Sequence, residues 1–274
     1  MRTLQETIDR MEKGAGQSLR KHLSAQAINT WSDITRSSLY DLRDYLLDTV
    51  AASSARQILS NLRAILNRVK DDVELPTDFA KILTCKATPP MKTYLTEDEL
   101  ALLENVKVHT DKQRFVKNVF LICAYTGLRV SDAMRLTPEN IKDGAVHFVA
   151  KKTKKAGAIP LKSGLDERIL WVAEHQDKKV TLMSFNRAIR KMCKDAGITD
   201  EVVVFKAGKE LKGPKWQFIS SHSARISTAS CLNKRGVPIG DICKLLQHSG
   251  VSMTERYVVR DHIQLSNSAM KFFR

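Results

Sequence analysis

Two consecutive prolines, Pro89 and Pro90, interrupt a chain whose apolar residues otherwise follow helical spacing, and this break constrains the fold most. Proline lacks a backbone N–H, and it disfavours helix at its own position and at the preceding residue. Soon after the break, Thr96 and Glu99 have the spacing of a helical capping box, so a new helix should begin there. We therefore expect three segments: a first domain at 1–85, a linker at 86–94 and a second domain at 95–274.

The first domain is expected to be a small helical bundle. Between Ser53 and Lys70, apolar residues recur every three or four positions, which places them on one helix face. A second row on that helix, spaced every seven residues, is basic and consists of Arg56, Arg63 and Lys70. Such a row either contacts a nucleic-acid backbone or forms the solvated side of the helix, and the sequence leaves both interpretations open. Further helices are indicated by Trp31, Leu39, Leu42, Leu46 and Leu47.

The second domain is expected to be mainly α-helical with a small β-hairpin. An apolar helix from Phe115 to Tyr125 should end at Gly127, because glycine commonly ends helices in a left-handed conformation. Ser131 should then cap a short helix that runs to Leu136.

A basic hairpin is expected after these helices, since residues 146–150 and 156–161 have the composition of short strands. The turn between the strands is rich in lysine and contains Lys151, Lys152, Lys154 and Lys155. Residues 197–217 carry lysines without clear periodicity and are expected to be irregular. The remaining helices are expected at 166–174, 184–195, 222–234, 239–247 and 262–272.

Charge is distributed unevenly along the chain. Residues 1–88 carry 13 Lys and Arg against 11 Asp and Glu, whereas the remainder carries 32 against 19, and the net charge is +15. A strongly basic domain favours a polyanionic partner, with nucleic acid first and an anionic membrane surface a distant second. A basic solvated surface without a partner is the alternative that charge alone leaves open.

Composition disfavours several other classes of protein. No apolar run approaches the roughly 18 residues that a membrane-spanning helix needs, and the N-terminus carries no apolar signal segment. The 5 cysteines form no C-x-x-C pair, which argues for a reducing compartment and against a disulfide framework or a zinc ribbon. We expect these thiols to fill core space and the protein to be cytoplasmic.

A small set of residues with complementary chemistry stands in three sequence motifs. Arg129 follows a Gly-Leu turn, and His222 and Arg225 form an H-x-x-R box. His248 precedes Tyr257 by nine residues. Two guanidinium groups can clamp a phosphate, histidines can move protons, and a tyrosine hydroxyl can act as a nucleophile. Each residue alone has an ordinary structural explanation, but their order and spacing together indicate attack on a phosphodiester.

In order and local sequence, these motifs resemble the tyrosine recombinase (phage integrase) family. T-G-L-R-V-S-D at 126–132 is similar to its first arginine motif, and H-S-A-R at 222–225 is similar to its H-x-x-R box. L-Q-H-S at 246–249 is similar to its L-G-H-S motif, with Tyr257 at the usual distance beyond. Within the family, the sequence is most like integrases of Bacteroides-type mobile elements and their phages.

The resemblance implies a role for each site residue. Arg129 and Arg225 would clamp the phosphate, and Tyr257 would form a 3′-phosphotyrosyl link to DNA. His222 would act as the general base, and His248 would donate a hydrogen bond to the phosphate. No metal, ATP or other cofactor is implied.

The basic hairpin resembles the family's β-hairpin that carries a catalytic lysine, which would protonate the leaving 5′-hydroxyl. Lys152 is the best match, and Lys151 and Lys154 are competing candidates. Asp132 would pair with Arg129 and orient it, or else serve helix packing and helix-end charge. The candidate contacts to the DNA backbone are Arg56, Arg63, Lys70, Lys151, Lys154 and Lys155.

The resemblance further implies a two-domain tyrosine recombinase architecture, with a helical core-binding domain and a mixed α/β catalytic domain. The expected partner is double-stranded DNA with core crossover sites, bound by a homo-tetramer that the C-terminal tail helix at 262–272 links across two sites. No membrane partner is expected, and the setting would be the cytoplasm of a bacterial or phage-infected cell. A type IB topoisomerase-like or telomere-resolving enzyme and an inactive DNA-binding regulator are the alternatives.

Three departures from the family pattern stand out. Gln247 occupies the position where the family usually has glycine, and Ile226 follows the second arginine where a basic residue or histidine is common. Neither change replaces a catalytic group. The third expected departure is the lack of an arm-binding domain before residue 1, which would make this a simpler enzyme that binds only core crossover sites.

Overall fold

The computed structural model describes residues 2–85, 93–206 and 209–259. The chain divides into two compact units, which are 1–91 with 205–211 and 92–204 with 212–274. The expected linker at 86–94 lies mostly outside the described residues, and the expected tail helix at 262–272 lies wholly outside them. The domain boundaries and roles expected from the sequence stay a prediction.

The first unit is a helical bundle. Its helices are α1 (Leu4–Asp9), α2 (Lys13–Ala25), α3 (Arg36–Thr49), α4 (Ala52–Val69) and α5 (Phe79–Ile82). Leu59, Leu62 and Leu66 of α4 are fully buried, and α4 packs against α2 and α3. The apolar stripe expected on this helix is therefore confirmed. The α1 and α2 helices have no counterpart in the sequence-based prediction.

The second unit is built around two central helices. Its helices are α6 (Glu97–Asn105), α7 (Asp111–Thr126), α8 (Val130–Ala133), α9 (Leu165–Glu174), α10 (Leu182–Asp195), α11 (Ser221–Lys234), α12 (Ile239–Leu245) and α13 (Val251–Glu255). The α7 and α11 helices pack against each other and are buried on almost every side. Thr228 of α11 donates a hydrogen bond of 2.8 Å to the carbonyl of Ala124 on α7, so a buried hydroxyl is satisfied within the contact.

The end of α7 sets the direction of the chain that follows. Gly127 has φ +70°, a left-handed conformation, and its amide bonds the carbonyl of Cys123, which confirms the expected glycine end. A Cβ at Gly127 would also clash with the side chain of Leu246. Glycine is therefore required here both by backbone conformation and by space, and the chain turns directly into Arg129.

The described residues also form two small antiparallel sheets. The first contains β1 (Ile141–Lys142), β2 (Ala145–Val149) and β3 (Ala156–Pro160) in that order. In its register, Phe148 of β2 faces Gly157 of β3. The second sheet pairs β4 (Glu201–Lys206) with β5 (Lys209–Pro214). The predicted basic hairpin and the mainly α fold class with a small sheet are confirmed.

Two local predictions are wrong. Residues 197–217 are not irregular, because they contain the β4–β5 hairpin, which an ion pair of 2.7 Å between Lys212 and Glu201 supports. Ser131 does not cap a helix that runs to Leu136. Instead Arg129, extended at φ −73° and ψ 148° after the glycine turn, is the N-cap residue of α8, and Ser131 lies inside that helix.

Across the described ranges, no helix has both the length and the apolar character needed to cross a membrane.

Candidate active site

Arg225 lies where three sequence-distant motifs meet. It is on α11 and only 4% exposed. One guanidinium nitrogen, Nη1, donates to the carbonyl of Gly127, and the other, Nη2, donates to the carbonyl of Leu246. The planar fork of arginine suits this double contact, because two separate nitrogens each reach one carbonyl. Arg225 therefore joins the Gly-Leu-Arg turn to the L-Q-H-S segment.

Arg129 and Arg225 face the same cavity. Together with His222 they line a space of about 420 Å³, whose apolar wall includes Leu128 and Phe185. Desolvation by burial and the charge of Arg129 lower the pKa of Arg225 to about 10, and contacts with Tyr257 oppose this shift. Arg225 stays protonated at neutral pH. An anion entering this cavity would offset the repulsion between two guanidinium groups.

Tyr257 lies beside His222, the second residue of α11. Their ring centroids are 5.0 Å apart in a nearly edge-to-face arrangement, with 67° between the ring planes. The Tyr257 ring centroid is also 5.8 Å from the guanidinium carbon of Arg225. The amides and dipole at the start of a helix favour a bound anion. The tyrosine thus approaches both groups of the H-x-x-R box within its own chain, at the anion-favouring end of the helix.

His248 is a further ring neighbour of the tyrosine. It is buried, and its ring centroid lies 4.6 Å from that of Tyr257. Its Nδ1 lies 2.9 Å from the hydroxyl oxygen of Thr254, which is fully buried. When that hydroxyl donates to Nδ1, the neutral ring carries its proton on Nε2 and can donate from there. The carbonyl of Thr254 also accepts the amide of Tyr257 at 2.8 Å, so Thr254 holds both residues.

Asp132 connects the first arginine motif to the basic turn. Its carboxylate is buried and accepts a 2.9 Å hydrogen bond from the backbone amide of Lys151. It also pairs with Arg135 at 3.6 Å. Within the described part of the chain, these contacts stand in place of the expected pairing with Arg129. The hydrogen bond fixes the backbone at Lys151, the first residue of the turn. Asp132 therefore positions the basic turn.

The lysines of the turn are exposed at the end of the β2–β3 hairpin. The turn is closed by the amide of Lys154, which donates to the carbonyl of Ala150 at 2.9 Å, and by the amide of Ala150, which donates to the carbonyl of Lys155 at 3.0 Å. Lys151 and Lys152 come directly after Ala150 and so lie within this closed turn. The choice of Lys152 as the catalytic lysine stays a prediction.

Comparison with known proteins places this arrangement in a family. Residues 93–262, more than half of the chain, match the phage integrase family. The chain belongs to the phage integrase family. It is 27% identical over 241 residues to the prophage integrase IntE of Escherichia coli strain K12, a match that covers 80% of this chain and 62% of IntE. The chain therefore spans less than two thirds of that relative's length.

Solved phage integrase-type structures share the fold. The Tn1549 transposon integrase in complex with a circular intermediate DNA has a TM-score of 0.71 and 14% identity, with 99% of each chain covered. The lambda integrase tetramer bound to a Holliday junction has a TM-score of 0.64 and 17% identity, and covers 95% of this chain and 79% of that one. At these identities the similarity establishes the fold alone.

The residues that match the phage integrase motifs come together only in part. The residues that converge are Arg129, His222, Arg225, His248 and Tyr257.

The basic row of the first unit is divided. Arg56 and Lys70 are exposed, whereas Arg63 is half-buried and donates to the hydroxyl of Thr84 at 3.1 Å. Their contact with DNA stays a prediction.

Among the described residues, no three His, Cys, Asp or Glu side chains are grouped in a way that could hold a metal ion.

Three supporting residues of the site were missed by sequence reasoning. Thr254 could have been considered, because it stands three residues before Tyr257. Ser230 donates to the carbonyl of Tyr257 at 3.3 Å and accepts the amide of Val259 at 3.0 Å. Asn186 accepts the amide of Ser221, the first residue of α11, at 2.8 Å. Ser230 and Asn186 carry no local signal, since their partners lie 27 to 35 residues away.

Proposed function

We propose that this chain is a site-specific DNA recombinase that cuts and rejoins duplex DNA through a 3′-phosphotyrosine intermediate. One observation carries the proposal: His222, His248 and Arg225 lie near Tyr257 within one chain, and Arg129 lines a cavity with His222 and Arg225. Membership of the phage integrase family and the similarity to IntE support it. The solved integrases with DNA in their complexes support DNA as the partner.

The cavity between Arg129 and Arg225 is the proposed phosphate site. Two permanent positive charges would hold the non-bridging oxygens and would stabilise the extra negative charge of the transition state. The basic second unit supplies a field that attracts the DNA backbone. Because phosphate contacts release counterions, the affinity for DNA should fall steeply as salt concentration rises.

Cleavage is a transfer of the phosphorus from one oxygen to another. The hydroxyl oxygen of Tyr257 forms a bond to phosphorus while the bond from phosphorus to the 5′-oxygen breaks, and the tyrosine proton passes to His222 as general base. His248, held by Thr254, donates its Nε2 proton as a hydrogen bond to a phosphate oxygen. The leaving 5′-oxygen takes a proton from the ammonium of Lys152.

Rejoining is the reverse of this step. Cleavage replaces the phosphoester bond to the 5′-oxygen with a phosphoester bond to the tyrosine oxygen. A 5′-hydroxyl from a second DNA can therefore attack the phosphotyrosine and release Tyr257. Lys152 would then accept the proton that it gave, and His222 would return its proton to the tyrosine.

Exchange between two DNA sites requires several copies of the chain. We propose a homo-tetramer on two core crossover sites, linked through the C-terminal tail at 262–272, which lies outside the described residues. The lambda integrase tetramer bound to a Holliday junction supports this assembly. The apolar composition of the tail, with Ile263, Leu265 and Phe272, supports its role in docking.

A two-site assay tests the proposed function. The DNA that flanks the gene would be searched for repeats with a shared core, and two copies would be placed on one supercoiled plasmid. We expect excision or inversion between the copies in buffer with EDTA and without ATP. Relaxation of plasmids without exchange would indicate topoisomerase-like activity. Binding to the repeats with neither reaction would indicate a DNA-binding regulator, and either result would contradict the proposal.

A further inference from the structure

Gln247 occupies a backbone conformation that favours glycine. The α12 helix ends at Leu245, and Gln247 follows with φ +51°, in the left-handed region. Its amide donates to the carbonyl of Lys244 at 2.9 Å, so it closes the helix as a terminal glycine would. A residue with a Cβ is strained in this conformation. The glycine usual in the family would remove that strain, which raises the question of what the side chain does here.

The Gln247 side chain reaches the end of the basic turn. Its Nε2 donates to the backbone carbonyl of Lys155 at 3.3 Å. Its Oε1 is closed off from solvent and has no hydrogen-bond partner among the described residues. This unsatisfied buried oxygen is destabilising, in addition to the backbone strain at Gln247. A strained residue with an unsatisfied atom persists where its surroundings hold it in place, which is typical of functional sites.

Gly157 provides the space for this contact. It lies on β3 opposite Phe148, and a Cβ at this position would clash with Nε2 of Gln247 and would lie 3.1 Å from ring carbons of Phe148. The missing side chain at 157 and the additional side chain at 247 are therefore complementary. The pair brings the segment that carries His248 against the strand that leaves the basic turn.

The basic turn is thus held at both ends by side chains from the active site. Asp132 holds its start through the amide of Lys151 at 2.9 Å, and Gln247 holds its end through the carbonyl of Lys155 at 3.3 Å. Between these two points lies Lys152. Each anchor is close in sequence to a residue of the converging site, Asp132 to Arg129 and Gln247 to His248.

We infer that Gln247 is a positioning residue that holds the lysine turn in register with the site, so that Lys152 meets the leaving 5′-oxygen. This inference rests on the proposed function. It assigns to Gln247 no contact with DNA and no proton transfer. Its effect is confined to the step that needs the lysine proton, since Arg225 and His248 are held by other contacts.

A substrate that needs no proton for departure isolates this step. In a DNA with sulfur in place of the bridging 5′-oxygen, the leaving thiolate is stable without protonation, whereas the ordinary 5′-alkoxide is not. The change is Gln247→Gly, which removes the tether and also relieves the left-handed strain. General acids typically contribute about 10²–10⁴-fold. We expect partial misplacement to slow covalent adduct formation about tenfold on the oxygen substrate and to leave the sulfur substrate within about twofold of wild type.

Two control variants separate the tether from other effects. Asp143 has φ +51° in the exposed turn between β1 and β2, so Asp143→Gly relieves similar strain without touching the basic turn. It should leave both rates unchanged. Lys152→Ala should show a larger version of the Gln247→Gly pattern, with loss on the oxygen substrate and recovery on the sulfur substrate.

Amide hydrogen exchange gives a readout that is independent of catalysis. The amides of Ala150 and Lys154 close the turn, and loss of the tether should raise their exchange rates at least about threefold in Gln247→Gly. Unchanged exchange would overturn the inference.

The rate measurements also separate the inference from the function beneath it. Suppose that wild type forms the adduct. If Gln247→Gly is then as fast as wild type on the oxygen substrate, or is equally impaired on both substrates, the inference is overturned and the proposed function stands. Failure of wild type to form an adduct with either substrate would overturn both.

Discussion

The carboxylate of Asp132 accepts a 2.9 Å hydrogen bond from the backbone amide of Lys151. This contact fixes the distance between the start of α8, where Arg129 is the N-cap residue, and the start of the basic turn. The carboxylate is buried, and the hydrogen bond that it accepts is partly buried. The arginine proposed to bind phosphate and the lysine proposed as the acid are therefore coupled through one side chain.

Replacing Asp132 tests this coupling. Asp132→Ala leaves the amide of Lys151 without its acceptor, and we expect a loss of about 1–3 kcal/mol in the free energy of unfolding. DNA cleavage should slow about tenfold or more, because the turn is no longer held. Asp132→Asn keeps an oxygen acceptor and should be affected less in both measurements. Equal effects of the two variants would show that the hydrogen bond to Lys151 is not what Asp132 contributes.

Replacing Arg225 with lysine keeps the charge but removes the fork. Arg225 uses two separate nitrogens for Gly127 and Leu246, and a lysine has no rigid fork with which to keep this geometry and also present donors to a phosphate. We expect Arg225→Lys to lower the rate of adduct formation about 10²-fold or more. Arg235→Lys is the matched control, since Arg235 is an exposed residue just after the same helix and pairs with Glu97 at 2.6 Å. Wild-type cleavage by Arg225→Lys would contradict the assigned phosphate clamp.

Replacing Thr254 tests the orientation of His248. Thr254→Val keeps the shape but removes the hydroxyl that lies 2.9 Å from Nδ1 of His248. The imidazole then loses the partner that fixes its tautomer, and we expect about tenfold slower adduct formation. Thr254→Ser retains the hydroxyl and should stay within about twofold of wild type. If Ser and Val variants cleave alike, the hydroxyl does not set the state of His248.

The sequence predicted the elements of this protein better than the contacts between them. The α4 stripe, the glycine end of α7 and the basic hairpin follow from local rules, because each is set by residues a few positions apart. The contacts of Asp132 with Lys151 and of Gln247 with Lys155 join residues 19 and 92 positions apart, so no local pattern reveals them. The convergence of the motif residues was expected because family resemblance carries the long-range information that periodicity lacks.

The β4–β5 hairpin was missed for a physical reason. Glu201, Glu210 and Lys212 of the hairpin are exposed. Neither strand shows the alternation of apolar and polar residues that marks a half-buried strand. The available signal was the run of β-branched residues at 202–204, which favours strand.

The stability of the protein should depend on the protonation of His22. This residue is buried in the first unit, and desolvation together with the charge of Lys21 lowers its pKa below the usual 6.5. As pH falls through 6.5, the unfolded chain binds a proton that the folded chain does not, so the free energy of unfolding decreases until the folded pKa is reached. His22→Phe removes this contribution and keeps a ring beside Tyr45, whose centroid lies 5.9 Å away.

Chemical unfolding at pH 7.5 and pH 5.5 measures this effect. The difference in the free energy of unfolding between the two conditions should be smaller for His22→Phe than for wild type. The same difference for both proteins would show that His22 titrates normally in the folded chain.

Covalent capture of DNA by Tyr257 tests the central claim most directly. A suicide substrate is nicked next to the cleavage point, so the short fragment that carries the released 5′-hydroxyl diffuses away and rejoining cannot occur. We predict that wild type and Tyr125→Phe form a protein–DNA adduct, that peptide mapping places the DNA on Tyr257, and that Tyr257→Phe binds the same DNA with wild-type affinity and forms none. An adduct that persists in Tyr257→Phe, or no adduct from wild-type protein on DNA that it binds, would contradict the account.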